Sequence, residues 1–99
     1  MQTLELLEKL TKVGGVAGYE KPIADFLEKE IADLGPVRRT ALGSLICEVK
    51  REAKDRPHVV LEAHMDEIGL MVCGIDQNGF LKVTRCGGID RRVATAAPV

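Results

Sequence analysis

Tryptophan is missing from this 99-residue sequence, and one tyrosine and two phenylalanines are its only aromatic residues. A stacking platform for single-stranded nucleic acid needs several aromatic faces, so that class of partner is excluded. Neither sign of charge dominates: fourteen Lys and Arg stand against fifteen Asp and Glu, a formal net charge of −1. No field is left over to hold a polyanion or an anionic membrane. Long apolar runs are lacking too, and the opening MQTLELLEKLTKV interleaves Leu with charge, which suits neither a signal-peptide core nor a membrane span. The expectation is a cytoplasmic protein. The three cysteines, Cys47, Cys73 and Cys86, are odd in number and form no C-x-x-C pair. That disfavours a disulfide framework or a zinc knuckle and leaves reduced, partly buried thiols.

What is present is an ordinary globular mixture, 45% hydrophobic and 29% charged, enough for one domain at most. Leu4, Leu7 and Leu10, with Leu6 and Val13 nearby, predict an amphipathic helix over 3–13, capped by Thr3 and ended by Gly14-Gly15. Pro22 suits the first turn of a second helix, whose face is Ile23, Phe26, Leu27, Ile31 and Leu34, and Gly35-Pro36 stops it. The period then changes. Val37–Leu42 and Leu45–Val49 read as short strands about a Gly43-Ser44 turn, and KREAKDRP at 50–57 reads as a solvated loop. Val59–Ala63 and Ile68–Ile75 read as apolar strands of the kind buried on both faces. Asp76–Gly79 carries an Asn-Gly hairpin signal leading to a strand at Phe80–Thr84, and Gly87-Gly88 breaks it.

The fold class expected is therefore α/β, with two helices first and strands after them. A buried sheet wants helices on both faces, and both helices here precede the first strand, so apolar strand surface is expected to lie bare. The ending RRVATAAPV shows no closing helix.

Chemistry concentrates in HVVLEAHMDEIGL at 58–70. In an extended chain Glu62, His64 and Asp66 project to one side, with His64 and Asp66 about 7 Å apart along the strand. A metal-binding imidazole normally donates its second ring N–H to a carboxylate or carbonyl, and an acid two residues on lies on the right face. A capped polar strand end explains the same pattern, so H-x-D is a weak motif alone.

Taken together, AHMDEIGLMV, the preceding GGVAGYE at 14–20, and the following NGFLKV and GGIDRRV resemble the start of the glutamyl-aminopeptidase family of co-catalytic metallopeptidases. That family includes tetrahedral and deblocking aminopeptidases and some chains labelled endoglucanase. The likeness runs from about Leu4 to Val93 and implies an α/β/α catalytic domain interrupted by a β-rich dimerisation domain. Residues 1–67 would form the N-terminal part of the catalytic domain and 68–99 the crossing into the dimerisation domain. His64 matches the family's first metal-ligand His, and Asp66 matches the catalytic-site acid that orients it. Glu67 is given no catalytic role. The remaining ligands and the general base match nothing in these residues, so a site for two divalent ions, zinc or cobalt, is incomplete here. Peptide substrates and homo-oligomers are also implied. Glu62 departs from the family's apolar strand, and ATAAPV keeps only a loose likeness to it.

Rival readings separate on geometry. Gly14–Gly18 follows a helix rather than a strand and has no Lys-Ser/Thr after it, so it is a helix-ending loop and not a phosphate cradle. Asp66 and Glu67 cannot be a glycosidase pair, because adjacent strand residues face opposite ways. His58 reads as a surface residue, Asp90-Arg91-Arg92 as a solvated turn, and Cys86 lacks a basic neighbour that would activate it. Two functional expectations result. One is a fragment of a two-metal aminopeptidase, inactive alone; the other is a non-catalytic α/β module that self-associates or needs a partner.

Overall fold

The computed structural model describes residues 2–49, 55 and 57–96. Helix α1 spans Thr3–Leu10 and α2 spans Lys21–Ile31, extended by a 3-10 turn at Ala32–Leu34. Strands β1 (Val37–Arg39) and β2 (Leu45–Cys47) form one antiparallel pair, and β3 (Gly69–Ile75) and β4 (Leu81–Cys86) form another. A single turn of helix, α3, follows at Arg91–Ala94. The architecture is mixed α/β, helices first and antiparallel strands after.

Helix α1 stops before the glycines. Lys12 N–H bonds the Lys9 carbonyl and the Thr11 hydroxyl bonds the Glu8 carbonyl at 2.9 Å, closing the last turn early. Thr3 is inside the helix rather than its cap; Gln2 holds that position and makes no side-chain cap bond. Pro22 lies in the first turn of α2 as expected, and Ile23 and Ala24 are buried. The backbone crosses so closely at Gly35 that a Cβ there would run into the Glu48 carbonyl oxygen, which gives that position a second reason to be glycine.

Strand β1 ends three residues sooner than the pattern predicts. Thr40 N–H bonds the Ser44 carbonyl, Gly43 N–H bonds the Thr40 carbonyl, and Ser44 N–H bonds the Thr40 hydroxyl, so Thr40–Ser44 is a closed loop. Arg39 at the end of β1 ties back to Asp25 and Glu28 on α2. In the second hairpin Asp76–Gly79 is the turn, as expected, and Asp76 organises it. Its Oδ1 accepts from Asn78 N–H at 2.8 Å and Phe80 N–H at 2.9 Å, and Gly79 takes the left-handed conformation (φ 85°). The ladder slips by one residue between Val72 and Gly74, and β4 runs on to Cys86, where Gly87 (φ 90°) breaks it.

Two expectations need correction. Residues 57–66 form no strand, because a β-strand exists only where a neighbour accepts its hydrogen bonds, and none lies beside them among the described residues. The apolar surface expected to lie bare does so: Val59 is 84% exposed and Leu61 95%, and β3 is mostly exposed as well. Asp90 is more than a solvated turn: its carboxylate accepts from Arg92 N–H at 2.9 Å and caps α3, a helical turn in a segment expected to have none. Most of the 50–57 loop and the last three residues lie outside the described residues. The cysteines are free as expected, with Cys47 and Cys86 half-buried but Cys73 exposed.

Candidate metal centre

The segment leading to His64 is exposed through Ala63 and runs along one side of a groove. Ala63, His64 and Met65 line a groove of about 390 Å³ whose other wall is Leu10, Ile23, Leu27, Ile31 and Leu45, so the apolar face of α2 forms its floor. The apolar face of α2 that was legible in the sequence thus lies across this groove from Ala63–Met65. His64 stands at the rim with its side chain 85% exposed.

His64 and Asp66 meet. The imidazole Nδ1 lies 2.9 Å from the Asp66 carbonyl oxygen and 3.1 Å from Asp66 Oδ1. Both neighbours of Nδ1 are acceptors, so the proton of a neutral imidazole belongs on Nδ1 and the lone pair on Nε2. The expected orienting contact is thus made twice, once by the side chain and once by the main chain. The spacing argument had foreseen the carboxylate alone.

Asp66 and Glu67 turn to different neighbours. Glu67 pairs with the loop after α1 through a parallel bridge to Val16: its N–H bonds the Gly15 carbonyl at 2.8 Å, and its carbonyl accepts from Ala17 N–H at 3.3 Å. Its carboxylate accepts from Gly15 N–H at 3.1 Å. The glycines permit this approach, since a Cβ on Gly15 would come within 2.7 Å of Ile23 Cγ2, and one on Gly69 within 2.5 Å of Val16 Cγ2. Gly14–Gly18 is therefore structural, as read, and the divergence of the two acids agrees with the rejection of a glycosidase pair. Glu62 and His58 are exposed and lie outside this arrangement.

The donor chemistry suits a divalent transition metal at one point only, a neutral imidazole with an open Nε2 and a held Nδ1. A catalytic zinc takes three protein ligands, and among the described residues no three His, Cys, Asp or Glu side chains gather closely enough to hold an ion. The residues present fit one corner of such a centre and not the whole.

The chain is similar to known proteins. A lysyl aminopeptidase of Pyrococcus furiosus is 41% identical over 90 residues, 86% of this chain and 24% of that protein. A glutamyl aminopeptidase of Lactococcus lactis is 29% identical over 89 residues, 89% of this chain and 25% of that protein. The chain thus spans about a quarter of the length of the curated relatives it matches. Among solved structures, an endoglucanase of Thermotoga maritima superposes with a TM-score of 0.80 at 31% identity, over 88% of this chain and 28% of that one. PhTET1-12s, a dodecamer, superposes with a TM-score of 0.79 at 38% identity, over 91% of this chain and 27% of that one. The family model for the M42 glutamyl aminopeptidases matches residues 43–99, the half of the chain that holds His64, Asp66 and both strands of the second hairpin. The chain belongs to the M42 glutamyl aminopeptidase family.

Proposed function

We propose that this chain supplies the first metal-ligand histidine, His64, and its orienting acid, Asp66, to a two-metal aminopeptidase that removes N-terminal residues from peptides. The observation that carries the proposal is the double acceptor set on His64 Nδ1, which leaves Nε2 free to coordinate. Divalent ions such as zinc or cobalt would supply Lewis acidity toward the scissile carbonyl. In this reading His64 binds, and Asp66 holds the imidazole in the binding tautomer. Residues 1–67 belong to the catalytic domain and 68–99 begin a β-rich dimerisation domain, a division supported by the change of structure where β3 starts at Gly69. The same reading takes the protein as cytoplasmic and homo-oligomeric, supported by its free cysteines and by the dodecameric relative.

With a single ligand in place, the isolated 99-residue chain is expected to bind metal weakly and to turn over no substrate. Calorimetric titration with zinc and with cobalt, alongside His64→Ala and an aminoacyl-anilide assay, tests this. Weak binding that disappears in His64→Ala fits the proposal, and binding indifferent to that substitution would sink it. Tight, His64-dependent binding of two ions with turnover would instead mean that neighbouring copies complete the centre. A second reading, a non-catalytic module that self-associates, draws on the small core: Ile23 and Ala24 are the buried hydrophobic residues among those described.

A further inference from the structure

We infer that Glu67 is a positioning residue, which together with the Gly15 loop holds the His64 imidazole in its Nδ1–H form. The link runs through one rigid unit. The carbonyl of Asp66 and the N–H of Glu67 belong to the same peptide group, which is trans and planar, so neither can turn without the other. The carbonyl end accepts from His64 Nδ1 at 2.9 Å, and the N–H end donates to the Gly15 carbonyl at 2.8 Å. The Glu67 carboxylate closes a reciprocal contact by accepting from Gly15 N–H at 3.1 Å, and its own carbonyl takes Ala17 N–H. Gly15 is buried and pressed against Ile23, so the anchor is the core itself, while His64 is in the open. A ring this exposed has few packing contacts to orient it, and the peptide group behind it provides the orientation.

The functional meaning of the inference rests on the reading of His64 as a metal ligand, but the orientation itself is testable without metal. The experiment uses the ¹⁵N-labelled 99-residue chain at a pH where imidazole is neutral, and reads the ring nitrogens by long-range proton–nitrogen correlation. His58, exposed and the chain's second histidine, serves as the internal reference. Wild type should show the Nδ1–H pattern at His64 and a free-histidine pattern at His58. Glu67→Gln keeps an acceptor at the same reach and should preserve the His64 pattern. Glu67→Asp keeps the charge but falls one methylene short, and Glu67→Ala has no acceptor; both should lose the pattern, with α2 amide signals intact.

Retention of the pattern in Glu67→Ala with α2 intact overturns the inference. So does the reverse order of the conservative variants, Asp preserving and Gln losing, which would make charge the operative property. Loss of the α2 signals in all three variants also overturns it, because Glu67 would then hold the fold rather than the ring. A correct tautomer pattern combined with His64-independent metal binding would refute the proposed function and leave this inference standing.

Discussion

At Gly15 the chain leaves no room for a side chain. A methyl group there would press on Ile23, one of the buried residues, and approach the Met65 carbonyl oxygen at 3.3 Å. Gly15→Ala is therefore expected to cost about 1–3 kcal/mol, the usual range for overpacking. Gly14→Ala, which meets nothing within 4 Å, should be close to neutral. Urea unfolding followed at α2 distinguishes the two. A second prediction at this scale concerns Asp66. Orienting partners of metal-bound histidines are typically worth about 10–100-fold in affinity. Asp66→Ala removes Oδ1 but leaves the main-chain carbonyl on Nδ1, so the loss should fall at the low end of that range. The same zinc titration that tests His64→Ala measures it. The weak H-x-D motif made the side-chain contact legible, whereas the main-chain contact depends on the peptide orientation set by Gly15 and could not be read from residue types.

Elements are joined by few ties, and each can be cut separately. Asp25 on α2 accepts from Lys21 at 2.5 Å and from Arg39 at 2.6 Å, and these hydrogen bonds, Lys21 first, hold its pKa below the ordinary 3.8. A carboxylate whose folded pKa is depressed contributes its stabilisation above the unfolded value and loses it as pH falls through the folded one. The Asp25 share of the tie between β1 and α2 should thus be constant from pH 7 down to about 4. Below that it should weaken, seen as lower protection of the Val37–Arg39 amides relative to their intrinsic exchange rates at each pH. In the second hairpin Asp76 accepts two backbone N–H groups, and a lone two-stranded hairpin is marginal in water. Asp76→Ala is expected to cost about 1 kcal/mol and to raise exchange in β3 and β4 about fivefold, which hydrogen-exchange mass spectrometry would detect. The helices were predictable because their period and breakers are local. The 57–66 segment was not, because apolar composition marks a strand that wants a neighbour without supplying one.

For the molecule as a whole, area decides. The chain exposes 9002 Å², while a compact monomer of 10.8 kDa exposes about 5,500 Å². Its radius of gyration is 18.2 Å, against about 13 Å for a compact domain of this length. The excess area is of the size that obligate interfaces bury. Much of it is apolar, including Val59, Val60, Leu61, Ile75 and Phe80. The isolated chain should therefore associate in a concentration-dependent way and bind hydrophobic dyes, by sedimentation velocity and fluorescence. A compact, dye-silent monomer would show that the chain covers these surfaces itself.

The sequence by itself determined the two amphipathic helices, the hairpin turn at Asp76–Gly79, the position of the His64–Asp66 cluster and the family likeness. All of these are carried by periodicities and motifs within a few residues of each other. Only the tertiary structure decided that Glu67 engages Gly15 across the fold, that Asp66 holds the imidazole through two oxygens, and that the segment at 57–66 has no strand partner among the described residues. The physical reason is the same in each case: whether a hydrogen-bond partner comes from a distant part of the chain leaves no trace in the local pattern of residue types.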